Sequence, residues 1–463
     1  MKRLLACGSL ALASLAYGQA IASDYGTYLK MFAADSLWNS RPINPKLGTY
    51  QIPATTYNPA ISSGAYSSAI FEAKPGDSPM VVHKKSGSLG IKDSDAEQYL
   101  DSVRVPHWPA KTFAATGNDG HADIVDAAAN RVYSFYQLAQ DKTSRLWTAS
   151  MISWSTLNGS GWGDPAHYYQ GARAAAVPTS AGMIRVAEAN DGKAWYEHAL
   201  ALSLDYSGLA AAPNQFIYPA TSGDSTDPSK SNTGQIPEGA RLMLPADFDL
   251  SQITDPRLLK VAKTLMRYGA YVVDRNDNTP FVIYVENRSV WSESPPSQLN
   301  LVRQALRQVV SEDGYIDGNG VLRVPDSQVN LMSMRGIWAV DAMENPNDVA
   351  GVYDTYTQSL RWDTTTSFIR QIDYGNRNIG AVPGVGPNAP KRYTFSVVAS
   401  GGVKLSMQIY VNKALRLTTA LLGNGQSQHV VWPAGATVTL TAEKPAGGPA
   451  SAKARLVELP PGQ

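Results

Sequence analysis

The stretch that decides the fold is ADIVDAAANRVYSFYQL, residues 122–138. Two runs rich in β-branched and aromatic residues, 122–125 and 131–138, flank a turn at 126–130, a pattern typical of a β-hairpin. Further strands are predicted at 145–153, 193–206 and 281–285, and alternating strands follow from residue 393. The sequence therefore predicts a mainly β protein with some α, built on a jelly-roll-like β-sandwich core.

Two helices are expected to cover this core. Asp255 can cap the first, Pro256 suits its first turn, and apolar residues follow at helical spacing as far as residue 269. A second helix is predicted at 297–310. The predicted domains are a signal peptide at 1–22, a β-rich core with an N-terminal arm at 23–300, a helical or irregular connection at 301–390 and a small β-sandwich at 391–463.

The first 22 residues have the pattern of a secretory leader. Lys2 and Arg3 precede an apolar run from Leu4 to Tyr17, and small residues end the segment at Ala22. No later segment reaches the roughly 20 apolar residues that a membrane span needs. The expected protein is therefore secreted or periplasmic and does not span a membrane.

Composition excludes several classes of partner. The formal net charge is +1, and it becomes −1 when Lys2 and Arg3 leave with the leader. A protein with no basic field is not expected to bind nucleic acid or an anionic membrane. The 23 Tyr and 10 Trp residues fit a core, and they also fit stacking on sugar rings. The oligomeric state is left open.

The segment Asn118 to Asp126 is the leading candidate site. His121 lies among three carboxylates within nine residues, Asp126 among them. An imidazole beside an acid can act as a general base or bind a divalent metal. Asn-Asp-Gly is also an ordinary turn, and Asp126 could simply start the next one.

Glu188 and His198 form a second candidate pair. They flank an Asn-Asp-Gly turn at 190–192, so a hairpin could bring them together. A carboxyl group against an apolar sheet face has a raised pKa, which predicts Glu188 as a proton donor. The alternative is that His198, which lies among leucines, is a hydrogen-bonded core residue.

Asp274 begins an Asp-x-Asn-x-Asn pattern that resembles a calcium loop. The match fails at the sixth position, Thr279, and at the twelfth, Val285. Calcium stays a minor possibility, no other cofactor or metal is expected, and a helix-to-strand turn is the alternative. Asp274 could still face a cleft from that turn.

Residues 158–173 combine glycines with aromatic rings. Trp162, Tyr168 and Tyr169 are candidates for stacking on a sugar, although an ordinary loop could fold the same rings onto the protein body. Arg241 could clamp a uronate carboxylate, and a surface ion pair is the alternative.

Two stretches carry a resemblance. Residues 121–200, with Ile124-Val125-Asp126, Val177-Pro178 and His198-Ala199-Leu200, and residues 239–274, with Gly239-Ala240-Arg241-Leu242, resemble an uncharacterised group of exported bacterial proteins, many from actinobacteria. The resemblance covers about a third of the chain. It implies one continuous core from about residue 25 to 300 and brings no reaction with it.

These residues predict a carbohydrate-active enzyme that cleaves the glycosidic bonds of an extracellular polysaccharide. Hydrolysis would use Glu188 as the acid with Asp126 or Asp274 as its partner. β-Elimination would use His121 or His198 as the base, with Arg241 neutralising a uronate carboxylate. The alternative is a non-catalytic glycan-binding or cell-surface protein. An enzyme should gather Glu188, His121, His198 and Asp274 in one cleft.

Overall fold

The computed structural model describes residues 24–95, 98–164, 167–211, 215–224, 231–324, 352–354, 359–363, 365–373, 391–433 and 436–459. The predicted leader, residues 1–22, lies outside them. Three α-helices occur in the described residues: α1 (Val186–Ala189), α2 (Pro256–Arg267) and α3 (Pro296–Ala305). None of these described helices is long and apolar enough to cross a membrane.

The strands are, in chain order, β1 (Arg41–Pro42), β2 (Lys46–Leu47), β3 (Ala60–Ser62), β4 (Ala69–Ala73), β5 (Met80–Lys84), β6 (Ile91–Asp93), β7 (Gln98–Leu100), β8 (Ser102–Val105), β9 (Ala122–Asp126), β10 (Arg131–Tyr136), β11 (Ala139–Gln140), β12 (Trp147–Ala149), β13 (Met151–Thr156), β14 (Leu200–Asp205), β15 (Arg241–Met243), β16 (Ala270–Asn276), β17 (Phe281–Tyr284), β18 (Arg307–Ser311), β19 (Tyr315–Ile316), β20 (Leu322–Arg323), β21 (Val352–Asp354), β22 (Ser359–Trp362), β23 (Phe368–Asp373), β24 (Lys391–Ser400), β25 (Lys404–Val411), β26 (Ala414–Thr418), β27 (Ser427–Trp432), β28 (Ala436–Lys444) and β29 (Ala450–Glu458).

Three sheets are stacked in the first part of the chain. A seven-stranded sheet has the order β2-β18-β15-β16-β14-β17-β3, a six-stranded sheet β4-β9-β10-β13-β6-β7, and a four-stranded sheet β11-β12-β5-β8. Val125 and Val132 of the six-stranded sheet pack with Ala201 and Tyr271 of the seven-stranded one. The opposite face of the six-stranded sheet, which includes Ile124, packs with the four-stranded sheet. The mainly β prediction is confirmed, whereas the jelly-roll detail stays a prediction.

The predicted hairpin is present as β9 and β10, which pair antiparallel from Ala122↔Phe135 to Asp126↔Arg131. The first predicted helix is α2, and Asp255 caps it by accepting a hydrogen bond from the N–H of Leu258 at 2.8 Å. Its apolar stripe packs on the outer face of the seven-stranded sheet together with α3. The second predicted helix ends earlier than expected, at Ala305, because residues 307–311 join the sheet as β18.

A β-bulge interrupts the parallel pairing of β14 with β16. Leu202 is paired with Val272, but the next residue, Ser203, is paired with Asp274. With regular alternation, Asp274 would lie on the helix-covered face together with Val272. Paired residues of neighbouring strands point to the same face, however, and Asp274 is paired with Ser203. The extra residue therefore turns Asp274 towards the interior of the sandwich, on the side of Ser203.

The C-terminal part is a second β-sandwich with its own core. A five-stranded sheet, β21-β22-β29-β24-β27, packs against a four-stranded sheet, β23-β28-β25-β26. Its strands begin at Val352, so this unit starts before the predicted boundary at 391. The first unit likewise continues past 300 through β18 to β20. The predicted helical or irregular connection at 301–390 lies partly outside the described residues, and its described part contains the end of α3 and the strands β18 to β23.

Candidate active site

Asp274 meets a buried arginine inside the first sandwich. Arg173 Nη1 donates to Asp274 Oδ2 at 3.0 Å, and the Arg173 side chain is only 2% exposed. The guanidinium lies 3.8 Å from the centre of the Tyr284 ring, and the Tyr284 hydroxyl is 3.5 Å from Asp274 Oδ2. The bulge in β16 therefore places the Asp274 carboxylate beside the buried guanidinium of Arg173 and the ring of Tyr284.

A second carboxylate joins Asp274 through one backbone group. The N–H of Arg275 donates to Asp224 Oδ2 at 3.0 Å and to Asp274 Oδ1 at 3.1 Å. The N–H of Asp224 in turn donates to Glu238 Oε2 at 3.1 Å, and the Glu238 and Asp224 side chains also share a hydrogen bond. We call Asp119, Asp224, Glu238 and Asp274, together with Arg173, the acidic cluster.

Crowding and burial change the protonation of this cluster. Burial raises the pKa of Asp274, Arg173 opposes the shift, and the carboxylates of Asp224 and Asp119 reinforce it, so that the pKa lies at about 7. Burial also raises the pKa of Asp119 and, well above its usual range, that of Glu238. Carboxyl groups that stay protonated near neutral pH can donate a proton or a hydrogen bond.

His121 lies near this cluster as a neutral imidazole. The residue is buried, and burial followed by the charge of Arg173 holds its pKa well below the usual range. Its Nδ1 faces the carbonyl oxygen of Phe135 at 3.3 Å, so Nδ1 carries the proton. The basic nitrogen of the neutral ring is then Nε2.

Glu188 and His198 come together as the sequence predicted, but their protonation differs from the expectation. His198 Nε2 lies 3.2 Å from Glu188 Oε2, and Nδ1 lies 2.8 Å from the Ala199 carbonyl oxygen. Both ring nitrogens face acceptors, so the imidazole is doubly protonated. Burial raises the pKa of Glu188, but His198 and the Arg185 N–H lower it by more than burial raises it, so the net shift is downward. The predicted raised pKa of Glu188 is therefore wrong.

This ion pair predicts a pH window for stability. Burial lowers the pKa of His198, yet Glu188 raises it above its ordinary value overall. The contribution of Glu188 to the free energy of unfolding is complete above its unfolded pKa of about 4.3 and is lost as the pH falls through its folded pKa. The contribution of His198 is complete below its unfolded pKa of about 6.5 and is lost as the pH rises through its folded pKa. His198→Gln should lower the free energy of unfolding by about 1–3 kcal/mol between these values.

Denaturation of His198→Gln and the wild-type protein across the pH range checks this window. The difference in the free energy of unfolding between the two proteins should shrink below and above this pH window. Lys193→Gln, which breaks the exposed Lys193–Glu197 pair, is the control and should cost less than about 1 kcal/mol. A His198→Gln difference that is constant with pH would contradict the ion pair.

Asp126 has the contacts of a turn-forming residue, and its catalytic role stays a prediction. Its Oδ1 accepts the N–H of Ala129 at 2.9 Å and fixes the hairpin turn, while its Oδ2 lies 2.8 Å from His107 Nδ1. Both oxygens are thus engaged in holding the turn. Among the described contacts, Asp126 meets neither Glu188 nor Asp274.

The predicted sugar-binding residues separate into two groups. Trp162 is a core residue, since its ring is 3% exposed and stacks on Trp38 with centroids 4.6 Å apart. Arg241 is also buried and donates to the Tyr271 hydroxyl and the Leu37 carbonyl, so it is not part of a surface ion pair. Its Nη1 has no hydrogen-bond partner among the described residues, and its role as a clamp stays a prediction. Tyr168 and Tyr169 are half-buried and keep part of their surface available. Their role in binding stays a prediction.

The calcium-like stretch from Asp274 completes β16 and then bends towards β17, so it connects two strands and not a helix to a strand. Asn276 donates to Ser203 Oγ at 2.9 Å, and the N–H of Asn278, which adopts a positive φ of 66°, donates to Asp205 Oδ2 at 2.7 Å. Among the described residues, no group of three or more His, Cys, Asp or Glu side chains is arranged to hold a metal.

The four candidates expected in one cleft form two sites. Asp274 belongs to the acidic cluster and His121 lies near it. Glu188 and His198 line a separate cavity, and neither Asp274 nor His121 is among the residues that line it. Sequence reasoning missed Arg173, Asp224, Glu238 and Asp119 as individual residues. Asp119 and Arg173 lie in segments already noted, 118–126 and 158–173, but nothing in their spacing revealed that these segments meet.

No family model matches the chain, and no curated protein matches it. Solved structures match only in part. The Glycosylation Associate Protein (Gap123) complex from Streptococcus agalactiae is 15% identical over 22% of this chain, with a TM-score of 0.17, and the match spans only 37% of that chain. Accessory secretory proteins 1, 2 and 3 of Streptococcus pneumoniae are 11% identical, over 22% of this chain and 80% of theirs, with a TM-score of 0.18. TmCBM61 in complex with β-1,4-galactotriose is 14% identical, over 22% and 70%, with a TM-score of 0.15. Such low scores support no conclusion about function.

Proposed function

We propose that this protein is an exported glycoside hydrolase that cleaves a neutral polysaccharide, with Asp274 as its general acid. The observation that carries the proposal is the Asp274 carboxyl, whose pKa lies at about 7 beside a second carboxylate, Asp224, on the same N–H. Glycosidic hydrolysis needs such a pair, one group protonated and one able to supply a carboxylate. The leader predicted at 1–22 fits an extracellular polymer.

The charge of the cluster favours hydrolysis over β-elimination. Four acidic side chains surround a single guanidinium, that of Arg173, which already pairs with Asp274. The carboxylate of a uronate would be left without a cationic partner in this partly buried site, because the guanidinium of Arg173 is already paired. Arg241, the predicted clamp, donates to Tyr271 and Leu37 and makes no hydrogen bond or ion pair with the acidic cluster among the described residues. A neutral sugar needs no cationic partner.

Each residue then has a defined task. Asp274 protonates the leaving glycosidic oxygen while Asp224 attacks the anomeric carbon and the glycosidic bond breaks. Water, deprotonated by Asp274, then releases the sugar from Asp224. Arg173 positions Asp274 and limits the rise of its pKa. Glu238, which hydrogen-bonds Asp224 and has a strongly raised pKa, holds the second carboxylate in place as a neutral donor.

The geometry predicts the stereochemistry of cleavage. Two oxygens that accept from one N–H at 3.0 and 3.1 Å lie closer together than the roughly 6.5–9.5 Å typical of inverting enzymes. We therefore expect retention of the anomeric configuration. Proton NMR of the first product formed reports the anomer before it mutarotates, and an inverted product would contradict the assignment of Asp224 as nucleophile.

The function itself is tested with a panel of neutral and uronate-containing polysaccharides. Mass spectrometry and ultraviolet absorbance of the products separate the routes, because hydrolysis gives saturated fragments and elimination gives unsaturated uronate ends. Saturated fragments from neutral polymers are expected. Unsaturated ends would replace hydrolysis by elimination, with the neutral His121 as the base. Binding without fragments would favour the non-catalytic glycan-binding alternative.

A further inference from the structure

A cavity of about 480 Å³ lies apart from the acidic cluster, between the N-terminal arm and the segment that carries α1. Tyr25, Tyr28 and Trp38 supply aromatic surface to it, and Glu188 and His198 lie on its wall. Its volume falls in the range of about 300–1,000 Å³ found for small-molecule sites. None of its lining residues takes part in the proposed cleavage.

Two buried side chains leave hydrogen-bonding atoms available in this cavity. Arg185 and Glu286 both line it and are 8% and 3% exposed. Glu286 Oε2 accepts from Arg185 Nε at 3.1 Å and from the Val186 N–H at 3.0 Å, and Arg185 Nη1 donates to the Tyr28 carbonyl. In the hydrogen bonds of the described residues, Glu286 Oε1 accepts none and Arg185 Nη2 donates none. These two side chains are joined by the Nε–Oε2 contact, so a donor and an acceptor without a protein partner among the described residues belong to the same buried pair.

The cavity has no net charge to offer. Its acidic residues are Glu188, Asp191, Glu197 and Glu286, and its basic residues are Lys30, Arg185, Lys193 and His198. Most of them already form pairs, namely Arg185–Glu286, Lys193–Glu197 and His198–Glu188. A charged ligand would have to break a pair to gain a partner, which costs several kcal/mol when a buried charge is left alone. A neutral ligand gains the spare hydrogen bonds without that loss.

We propose that this cavity binds a neutral saccharide of one or two rings through two adjacent hydroxyls. Arg185 Nη2 donates a hydrogen bond to one hydroxyl, and Glu286 Oε1 accepts one from the other. A hydroxyl both donates and accepts, so neighbouring hydroxyls match this pair. Aromatic side chains such as Tyr25 offer apolar surface to the C–H face of a sugar ring. The site is a binding site separate from the cleavage site, and it does not depend on the identity of the catalytic residues.

Isothermal titration calorimetry on the full mature protein tests the site. The probes are glucose, galactose, mannose, maltose and cellobiose, with glucuronate and glucosamine as charged comparators. Ala187→Trp adds a bulky ring at an exposed residue that lines the cavity, and Val290→Trp makes the same change at a residue that is 81% exposed and does not line it. Asp274→Asn reports whether binding occurs at the acidic cluster instead.

At least one neutral probe should bind the wild type, Val290→Trp and Asp274→Asn with the same affinity, and Ala187→Trp at least tenfold more weakly. Absence of binding by every neutral probe would overturn the proposal, as would equal binding by Ala187→Trp. Tighter binding of a charged comparator would overturn the assigned ligand class. Loss of binding in Asp274→Asn alone would place the sugar at the acidic cluster and remove this second site.

Discussion

Asp274→Asn is expected to lower the rate of glycan cleavage by about 10²- to 10⁴-fold, the range that a general acid contributes. The amide keeps the shape of the side chain and its contact with Arg173, but it has no proton to give to the leaving oxygen. The loss should appear in kcat, because a neutral sugar is held by other groups. Steady-state kinetics on the most active neutral substrate measure it.

The same substitution should raise stability at alkaline pH. Asp274 titrates near 3.9 when unfolded and at about 7 when folded, so the folded state holds a proton that the unfolded state has lost between these values. Stability therefore falls as the pH rises through this window and stays lowered above pH 7. Asparagine carries no charge, so Asp274→Asn should unfold at a higher temperature than the wild type at pH 8. The gain should vanish below about pH 4.

Asp205→Asn is the matched control. Asp205 ends the neighbouring strand β14, is 2% exposed, and accepts the backbone N–H groups of Ser207 and Asn278. This variant should lose stability and keep the turnover of its folded fraction. A normal turnover in Asp274→Asn would remove Asp274 from the mechanism, and a lower unfolding temperature at pH 8 would contradict its raised pKa.

Trp38→Ala is expected to lower the free energy of unfolding by about 3–5 kcal/mol, the cost of removing a large aromatic core side chain. Trp38 is 1% exposed, stacks on Trp162, and meets the edge of Tyr271 with centroids 5.2 Å apart. It also fills the space above Gly182, where an added Cβ would lie 2.4 Å from the indole ring. Few single changes would empty so much of the interior between the two large sheets.

Urea denaturation measures this loss, and Trp195→Ala is the control. Trp195 is half-buried and carries Arg267 over its ring at 4.5 Å. Its removal should cost clearly less, since a partly exposed ring gives up less buried area. Equal losses for the two variants would mean that the Trp38–Trp162 stack adds nothing specific to the fold.

Local patterns were sufficient to predict several elements. The hairpin at 122–138 and the capped helix after Asp255 depend on periodicity and turn residues, which act over a few positions. The meeting of Glu188 with His198 also followed from a local turn. Their ionisation did not, because it depends on Arg185 and on burial, which sequence spacing does not report.

The acidic cluster could not be predicted because its members come from five distant segments. Asp119 precedes β9, Arg173 lies in a loop, Asp224 and Glu238 flank a polar stretch, and Asp274 ends up inside only through a bulge. The bulge depends on how β14 and β16 pair, which no local pattern in β16 reveals. The error for Trp162 has a similar origin, since an aromatic ring in a glycine-rich loop can face either solvent or core.

The bulge at Val273 also frees one position of this strand from a pairing partner in β14. Many apolar side chains could occupy position 273 and leave the pairing of Ser203 with Asp274 in place. Without the bulge, a strand of the same length would alternate regularly and turn the carboxylate to the opposite face, beneath the leucines that pack against α2. The register of β16, fixed by one inserted residue, thus determines whether the Asp274 carboxylate lies beside Arg173 or among the apolar side chains under α2.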